Sequence, residues 1–307
     1  MKKNGVLVIL NFKYPEISDK ALIEHYFHQV QYRDCQFTFA NVLLWSRFYK
    51  TKFAVIEDML VFCQGEEYGR KAFIFPIGSG DPKPVIDRLM QECEKCGHDF
   101  CMYLVNREMF EKLDALYPDK FVFEPNRDLA DYIYNRDDLE QLTGKKYQPK
   151  RNHINRFKQN NPDWSFEPLT PQNAPECLAM AQEWAVQNDA AEGGEEDKIN
   201  EMWVVEQELA NLETLGLQGG LIRAGGKVIA FTIGEGVCND TYVSHVEKAF
   251  ADIQGSYAII NQQLAQHLPP QYRYINREED MGEEGLRKAK LSYHPAILLE
   301  KGFAVIK

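Results

Sequence analysis

The sequence predicts a mixed α/β (α+β) protein of two domains, each a mostly antiparallel sheet flanked by helices. Three observations carry this. A chain of 307 residues is long for a single core and suits two domains of ordinary size. Apolar residues recur at period two in some stretches and at helical period in others. Two strand pairs meet at glycine-bearing turns, GEEYG and AGGK, as hairpins do.

Each element follows in chain order. MKKNGVLVIL reads as a first strand, because its apolar run is too short for a signal sequence and no small-residue cleavage site follows. ALIEHYFHQV forms a helix, and FTFANVLLWSRFY is an aromatic-rich core segment. Strands over 53–64 and 70–77 flank GEEYG. An amphipathic helix over 81–95, a strand over 98–105, a helix over 107–117 and a strand over 120–123 complete the first half. The second half opens on a basic helix and continues with the strand DWSFEPL. The helix PQNAPECLAMAQEWAVQ follows, capped near Thr170 with Pro171 in its first turn. After the loop NDAAEGGEED come the long helix KINEMWVVEQELANLETLGL, a hairpin turning at Gly225 and Gly226, and the strand DTYVSHVEKAF. A helix from Gly255 to Leu268, the strand YRYIN, the helix EGLRKAKLSY and a strand pair around LLEKGFAVI end the chain. The domains are therefore 1–143 and 144–307, the second preceded by the basic helix.

A net charge of -11 opposes general affinity for nucleic acid or an anionic membrane. The stretch 144–162 is the exception: it holds Lys145, Lys146, Lys150, Arg151, Arg156 and Lys158 and no acid. No segment approaches the roughly 18 apolar residues of a membrane helix. Seven cysteines without an export signal predict reduced thiols and a cytoplasmic location. Cys93, Cys96, His98 and Cys101 have ligand-like spacing for zinc, but the first two close a helix and the last stands in the next strand. No metal site is expected there.

The order strand, two helices, three antiparallel strands, helix, strand, helix and terminal strands is that of the GNAT acyltransferase fold. The words GKKYQPKRNHINRF, GGLIRAGGKVIAFTIGE, YVSHVEKA, YINREED and GLRKAKLSYHP resemble those of a bacterial family similar to the C-terminal catalytic domain of phosphatidylglycerol lysyltransferase. Its members resemble tandem GNAT-like domains and are related to Fem-type aminoacyltransferases. The resemblance covers nearly the whole chain and is sharpest from residue 144 onward. It implies transfer of an activated acyl group, from an aminoacyl-tRNA ester or a coenzyme A thioester, to an amine or hydroxyl acceptor. With no membrane segment, a lipid acceptor is less expected than for the lysyltransferases. Two alternatives stand beside this: a coenzyme A-dependent N-acetyltransferase, and a non-catalytic tRNA- or ligand-binding protein that keeps the fold.

Candidate site residues follow from the pattern and the resemblance together. Glu206 falls inside a helical apolar stripe of Ile199, Met202, Trp203, Leu209 and Ala210, where burial would raise its pKa toward that of a general base. A structural ion pair is the competing reading. His245 shares a strand face with Glu247 and, by resemblance, lines the acyl cleft as a second base; a hydrogen-bonded, half-buried histidine is the alternative. Gly255 and Ser256 sit where the fold places a pyrophosphate at a helix N-terminus, although Asp252 and Tyr257 are poor neighbours for a diphosphate. Lys150, Arg151 and Arg156 on the basic helix would grip phosphates of the donor, or simply face solvent. In YINREEDMGEEGLRKAKLSYHP, Asn276 and Tyr293 would steady an oxyanion or leaving group, and Lys290 would reach inward to the donor. Leu286, Ala289 and Tyr293 are expected on the packing face of that helix, with most of the acids solvated; a closed salt-bridge network of the lysine and the loop carboxylates is the alternative.

Overall fold

The computed structural model describes residues 11–67, 70–187 and 195–307. The strand expected in GVLVIL and most of the loop NDAAEGGEED lie outside them. The chain divides into two compact units, one of residues 1–30, 45–126 and 301–307, the other of residues 31–44 and 127–300. The cut expected at 143/144 falls inside the second unit. The boundary instead lies between residues 126 and 127, within one uninterrupted strand of residues 121–135 that continues through Pro125 and Asn126.

The first half contains α1 (Lys20–Phe27), α2 (Phe39–Trp45), β1 (Lys52–Ile56), β2 (Met59–Glu67), β3 (Arg70–Phe73), α3 (Pro82–Cys96), β4 (Asp99–Asn106), α4 (Arg107–Leu116) and β5 (Phe121–Asn135). Then come α5 (Arg136–Gln141), α6 (Gln148–Asn160), β6 (Ser165–Pro168), α7 (Ala174–Gln187), α8 (Glu195–Ala210) and α9 (Leu212–Leu215). The chain closes with β7 (Gln218–Ala224), β8 (Lys227–Cys238), β9 (Thr241–Ala249), α10 (Ser256–His267), β10 (Tyr274–Asn276), α11 (Glu284–Leu291) and β11 (Ile297–Ile306).

Local chemistry explains the sharper boundaries. Asp81 starts α3 by accepting a hydrogen bond from the Lys83 amide at 2.9 Å, with Pro82 in the first turn, and Gly97 ends it in the left-handed region. Val85, Ile86, Leu89 and Cys93 recur on one side of α3 and are all buried. Burial pushes the Cys93 thiol up to about 11, as expected of a core cysteine. Asn106 caps α4 in the same way, accepting from the Met109 amide. Thr170 and Asn173 bond reciprocally ahead of α7, which begins at Ala174, a few residues later than the sequence suggests.

The chain runs twice through the same order. Helices α1 and α2 precede three antiparallel strands in the first half, and α7, α8 and the short α9 precede three in the second; the third strand of each set pairs in parallel with the strand after the next helix: β3 with β4, β9 with β10. In the second unit the order is β5-β10-β9-β8-β7-β6, antiparallel except for β9 and β10. The two parallel pairs differ in one respect that matters. β3 is paired from Arg70↔Asp99 to Phe73↔Met102, along its whole length. β9 pairs with β10 only from Thr241↔Tyr274 to Val243↔Asn276 and then continues to Ala249 beside β8 alone. Past Val243, one edge of β9 is open.

α10 packs on α6 through a glycine. Gly255 adopts φ 90°, and a Cβ there would collide with the His153 carbonyl oxygen and approach Phe157 Cβ to 3.0 Å. Gly255→Ala is expected to lower stability by about 2–4 kcal/mol, the sum of a left-handed non-glycine residue and an overpacked contact. A thermal melt of the variant checks this. Among the described residues no helix is long and apolar enough to cross a membrane.

Candidate functional site

Where β10 leaves β9, the chain makes a strained turn that aims charged side chains at the open edge. Asn276, fully buried, donates its amide hydrogens to the Arg33 carbonyl at 2.7 Å and to Asp131 at 2.9 Å. Its side-chain oxygen accepts from the Glu278 amide at 2.7 Å. That fixes Glu278 in the left-handed region, φ 55°, a conformation costing a non-glycine residue about 1 kcal/mol or more. The reason for the cost lies in what Glu278 reaches: His245 Nδ1 at 2.8 Å and Asn41 Nδ2 at 2.9 Å.

His245 is held from both sides. Its Nε2 faces Glu235 at 3.3 Å, and Glu235 also accepts from the Ala40 amide at 3.1 Å. The imidazole is 3% exposed. Burial opposes its charge, yet the hydrogen bonds to Glu235 and Glu278 outweigh that and raise its pKa well above the usual histidine value. His245 is therefore an imidazolium donating from both nitrogens, not a free base at neutral pH. Facing the same group from α8 is Glu208, 1% exposed. Burial first, then the charges of Glu278 and Glu235, push its carboxyl up to about 8 against the pull of His245. Among the described residues its Oε2 has no hydrogen-bond partner. A carboxylic acid kept neutral at pH 7 with one oxygen unengaged is equipped to give and take a proton.

Beside this carboxylate group lies a cationic one. Arg277 donates through Nη2 to Glu247 at 2.7 Å, and Asn261 donates to the other Glu247 oxygen at 3.2 Å. Arg277 Nη1 and Asn261 Oδ1 are buried and have no partner among the described residues. Lys150 donates to Ser292 Oγ at 2.7 Å, and its Nζ stands 3.7 Å from the centre of the Tyr293 ring. Arg277 stands 5.1 Å from the same ring and 5.7 Å from that of Tyr134. Burial, then repulsion by Arg277, lower Lys150 to about 8.

The loop after Glu278 is anchored underneath. Asp280, fully buried, accepts from Arg287 Nε at 2.8 Å, Arg287 Nη2 at 2.7 Å, Arg127 Nη1 at 3.1 Å, the Gly282 amide at 2.9 Å and the Tyr132 hydroxyl. Burial alone would raise its carboxyl, but these donors hold it well below the usual aspartate range. Lys290, also buried, donates to the Glu279 carbonyl. The ligand atoms of Cys35, Asp131 and Glu279 lie within 4.8 Å of one another and could hold a cation. Asp131 already accepts from the Cys35 amide, the Cys35 thiol and Asn276.

Several expectations meet this geometry and others are corrected by it. His245, Asn276, Lys290, Tyr293 and Lys150 gather around the end of β10 through the contacts just given. The buried carboxylate of the long helix is Glu208, not Glu206: the inward stripe is Val204, Val205, Glu208, Leu209 and Leu212, and Ile199 of the expected stripe is 61% exposed. Glu206 itself is only half-buried. Both amide hydrogens of Asn276 are spent within the turn, so it positions Glu278. The basic helix divides its residues: Lys150 turns inward, Arg151 donates to the Leu142 and Gly144 carbonyls and to Gln148, and Arg156 is exposed. Gly255 packs on α6 and the Ser256 hydroxyl donates to the Phe250 carbonyl at 2.7 Å, so both are engaged in packing. Leu286 and Ala289 are exposed, and the inward face of α11 is formed by Lys290, followed by Tyr293. Of the acids read either as solvated or as a closed salt-bridge network, Glu278 and Asp280 are engaged in the turn's hydrogen bonds and ion pairs. Sequence reasoning passed over Glu208, Glu235, Asp131 and Arg277; Glu235 carried a signal, an acid well inside an apolar strand, and Asp131 stands in the mostly apolar stretch LADYIY of β5.

Residues 27–304 match the family model described as phosphatidylglycerol lysyltransferase, C-terminal. Among solved structures, a conserved protein of unknown function from Bacteroides thetaiotaomicron is 44% identical, with a TM-score of 0.90 over 97% of this chain and 100% of that one. L-PGS from Bacillus licheniformis is 16% identical, with a TM-score of 0.63 over 95% of this chain and 92% of that one, which shows a shared fold. No curated protein sequence matches the chain.

Proposed function

Because the chain belongs to the phosphatidylglycerol lysyltransferase C-terminal family, we propose that it is an acyl- or aminoacyl-transferase whose reaction takes place at the open edge of β9. The observation that carries this is Glu208, a buried neutral carboxyl with an unengaged oxygen beside the His245 cluster. In the proposed reaction an amine or hydroxyl attacks the carbonyl of an activated acyl group. As the carbonyl–oxygen bond of an ester breaks, Glu208 gives its proton to the leaving alkoxide. The proton lost by the attacking group then returns to Glu208. His245 keeps Glu235 and Glu278 ionised and in place, so that their field holds the Glu208 proton until it is needed. Glu208 takes the role first assigned to Glu206 or His245, with Tyr293 and Lys290 as walls of the site and Asn276 as a positioning residue.

Two features favour an ester donor, of the aminoacyl-tRNA kind, over a coenzyme A thioester. An alkoxide needs a proton to leave, and a thiolate, whose conjugate acid is far stronger, does not. The N-terminal end of α10 is covered by α6, with Gly255 against His153 and the Ser256 hydroxyl already bonded, which disfavours a diphosphate there. Lys145, Lys146, Arg156 and Lys158, all exposed, offer an RNA backbone a cationic face on an otherwise acidic protein. Thermal-shift measurements with aminoacyl-tRNA and with acetyl coenzyme A distinguish the donors. Stabilisation by the charged RNA is expected; stabilisation by coenzyme A alone would sink the ester reading in favour of an N-acetyltransferase.

A further inference from the structure

We propose that Arg277 and Lys150 form a subsite for an anionic oxygen group, a carboxylate or a phosphodiester, carried by a molecule that enters the cleft. The argument starts from charge. Arg277 and Lys150 stand around one aromatic ring, that of Tyr293, and the acid bonded to either of them is Glu247, paired with Arg277. Two cations against one carboxylate leave a surplus of positive charge, and the Lys290 ammonium, which Arg277 also repels, adds to it. A negatively charged group balances that surplus. The geometry points the same way. Arg277 Nη1 is buried without an acceptor, a situation that costs about 1–3 kcal/mol or more for a charged donor and that an incoming oxygen relieves. The Lys150 ammonium has a hydroxyl and a ring for neighbours and forms no carboxylate ion pair among the described residues. Asn261 Oδ1, buried and likewise unpartnered, supplies an acceptor for a hydroxyl or amine next to the anion. The rings of Tyr134 and Tyr293 provide apolar walls that strengthen charge pairing by excluding water.

None of these groups is used in the proton transfer assigned to Glu208. The inference rests on the transferase reading only where it treats the ligand as a substrate of that cleft, and it adds the charge that one substrate carries. The exposed cations of the basic helix are a different feature, suited to a long polyanion, while this pair is recessed and fits one group.

The test follows Lys150 itself in the full-length protein. A brief pulse of an amine-reactive ester at a series of pH values, read by peptide mass spectrometry, gives the titration midpoint of this lysine. Acetate and dimethyl phosphate serve as probes at up to about 100 mM, each against chloride at equal ionic strength, a range suited to weak binding of small anions. An anion bound between the two cations favours the charged amine, so the midpoint is expected to rise by about one unit, a tenfold fall in labelling at fixed pH. The probe that produces the rise tells a carboxylate ligand from a phosphodiester one. In Arg277→Gln the midpoint of the free protein should rise through lost repulsion, and the response to anions should disappear. A wild-type midpoint that neither probe moves overturns the proposal, and that result stands even if Arg277→Gln does not fold. Because no donor is present, failure here is separable from failure of the transferase reading, which would show as wild-type transfer rates in a Glu208 variant.

Discussion

Glu208→Gln should abolish acyl transfer and at the same time make the protein more stable in mild alkali. Loss of a positioned proton donor and acceptor lowers kcat/KM by roughly 10²–10⁴-fold. Glutamine keeps the size of the side chain, so the cluster is not emptied. The stability effect has a definite sign. The Glu208 carboxyl titrates near 8 in the folded chain against an ordinary value of 4.5. Between those values the folded state holds a proton that the unfolded state has released. Wild-type stability therefore falls as pH rises across that window, by up to about 1.4 kcal/mol per pH unit, and levels off above it. The glutamine variant lacks this slope. Calorimetric melts should coincide near pH 4 and diverge by pH 8.5, with the variant melting higher. The activity of the wild type should itself decline as pH rises through about 8, since the proton donor is then lost.

The second large effect is structural. Asp280→Ala should cost about 3 kcal/mol in urea denaturation, because it strands the donors of Arg127, Arg287 and Tyr132 around a buried position. Asp280 has a lowered pKa in the fold, so its contribution is present above the ordinary value of 3.8 and is lost as pH falls below it. The difference between wild type and variant should accordingly shrink in acid. Asp128 pairs with the same Arg287 at 2.6 Å but is 52% exposed, and its removal should cost well under 1 kcal/mol. Transfer activity should also fall in the Asp280 variant, because the loop it anchors carries Glu278 to His245.

Much of the architecture was legible because it depends on periodicity and turn chemistry. The helices expected over 81–95 and 107–117 and the hairpin at Gly225 and Gly226 all come from local rules that act within a few residues. The domain boundary was not legible, since it runs through a strand and exchanges residues 31–44 and 301–307 between units, both matters of long-range pairing. Asn276, His245, Lys150, Lys290 and Tyr293 were singled out and stand together, but their roles depend on which hydrogen bonds are already taken. No spacing rule shows that both amide hydrogens of Asn276 are spent, or that His245 is clasped by two acids. Glu206 and Glu208 differ by two positions on α8, about 200° around the helix, and two apolar stripes competed for the inward face. The stripe holding the β-branched pair Val204 and Val205 is the one that packs.

The most direct test of the account follows a labelled aminoacyl group from its tRNA ester, with a bacterial extract as the pool of acceptors and wild type beside Glu208→Gln. The account predicts that the wild type moves the label into an amide or ester product and that the folded variant does so at least about 100-fold more slowly. Equal rates in the two proteins, or transfer from acetyl coenzyme A in place of the tRNA ester, would contradict it.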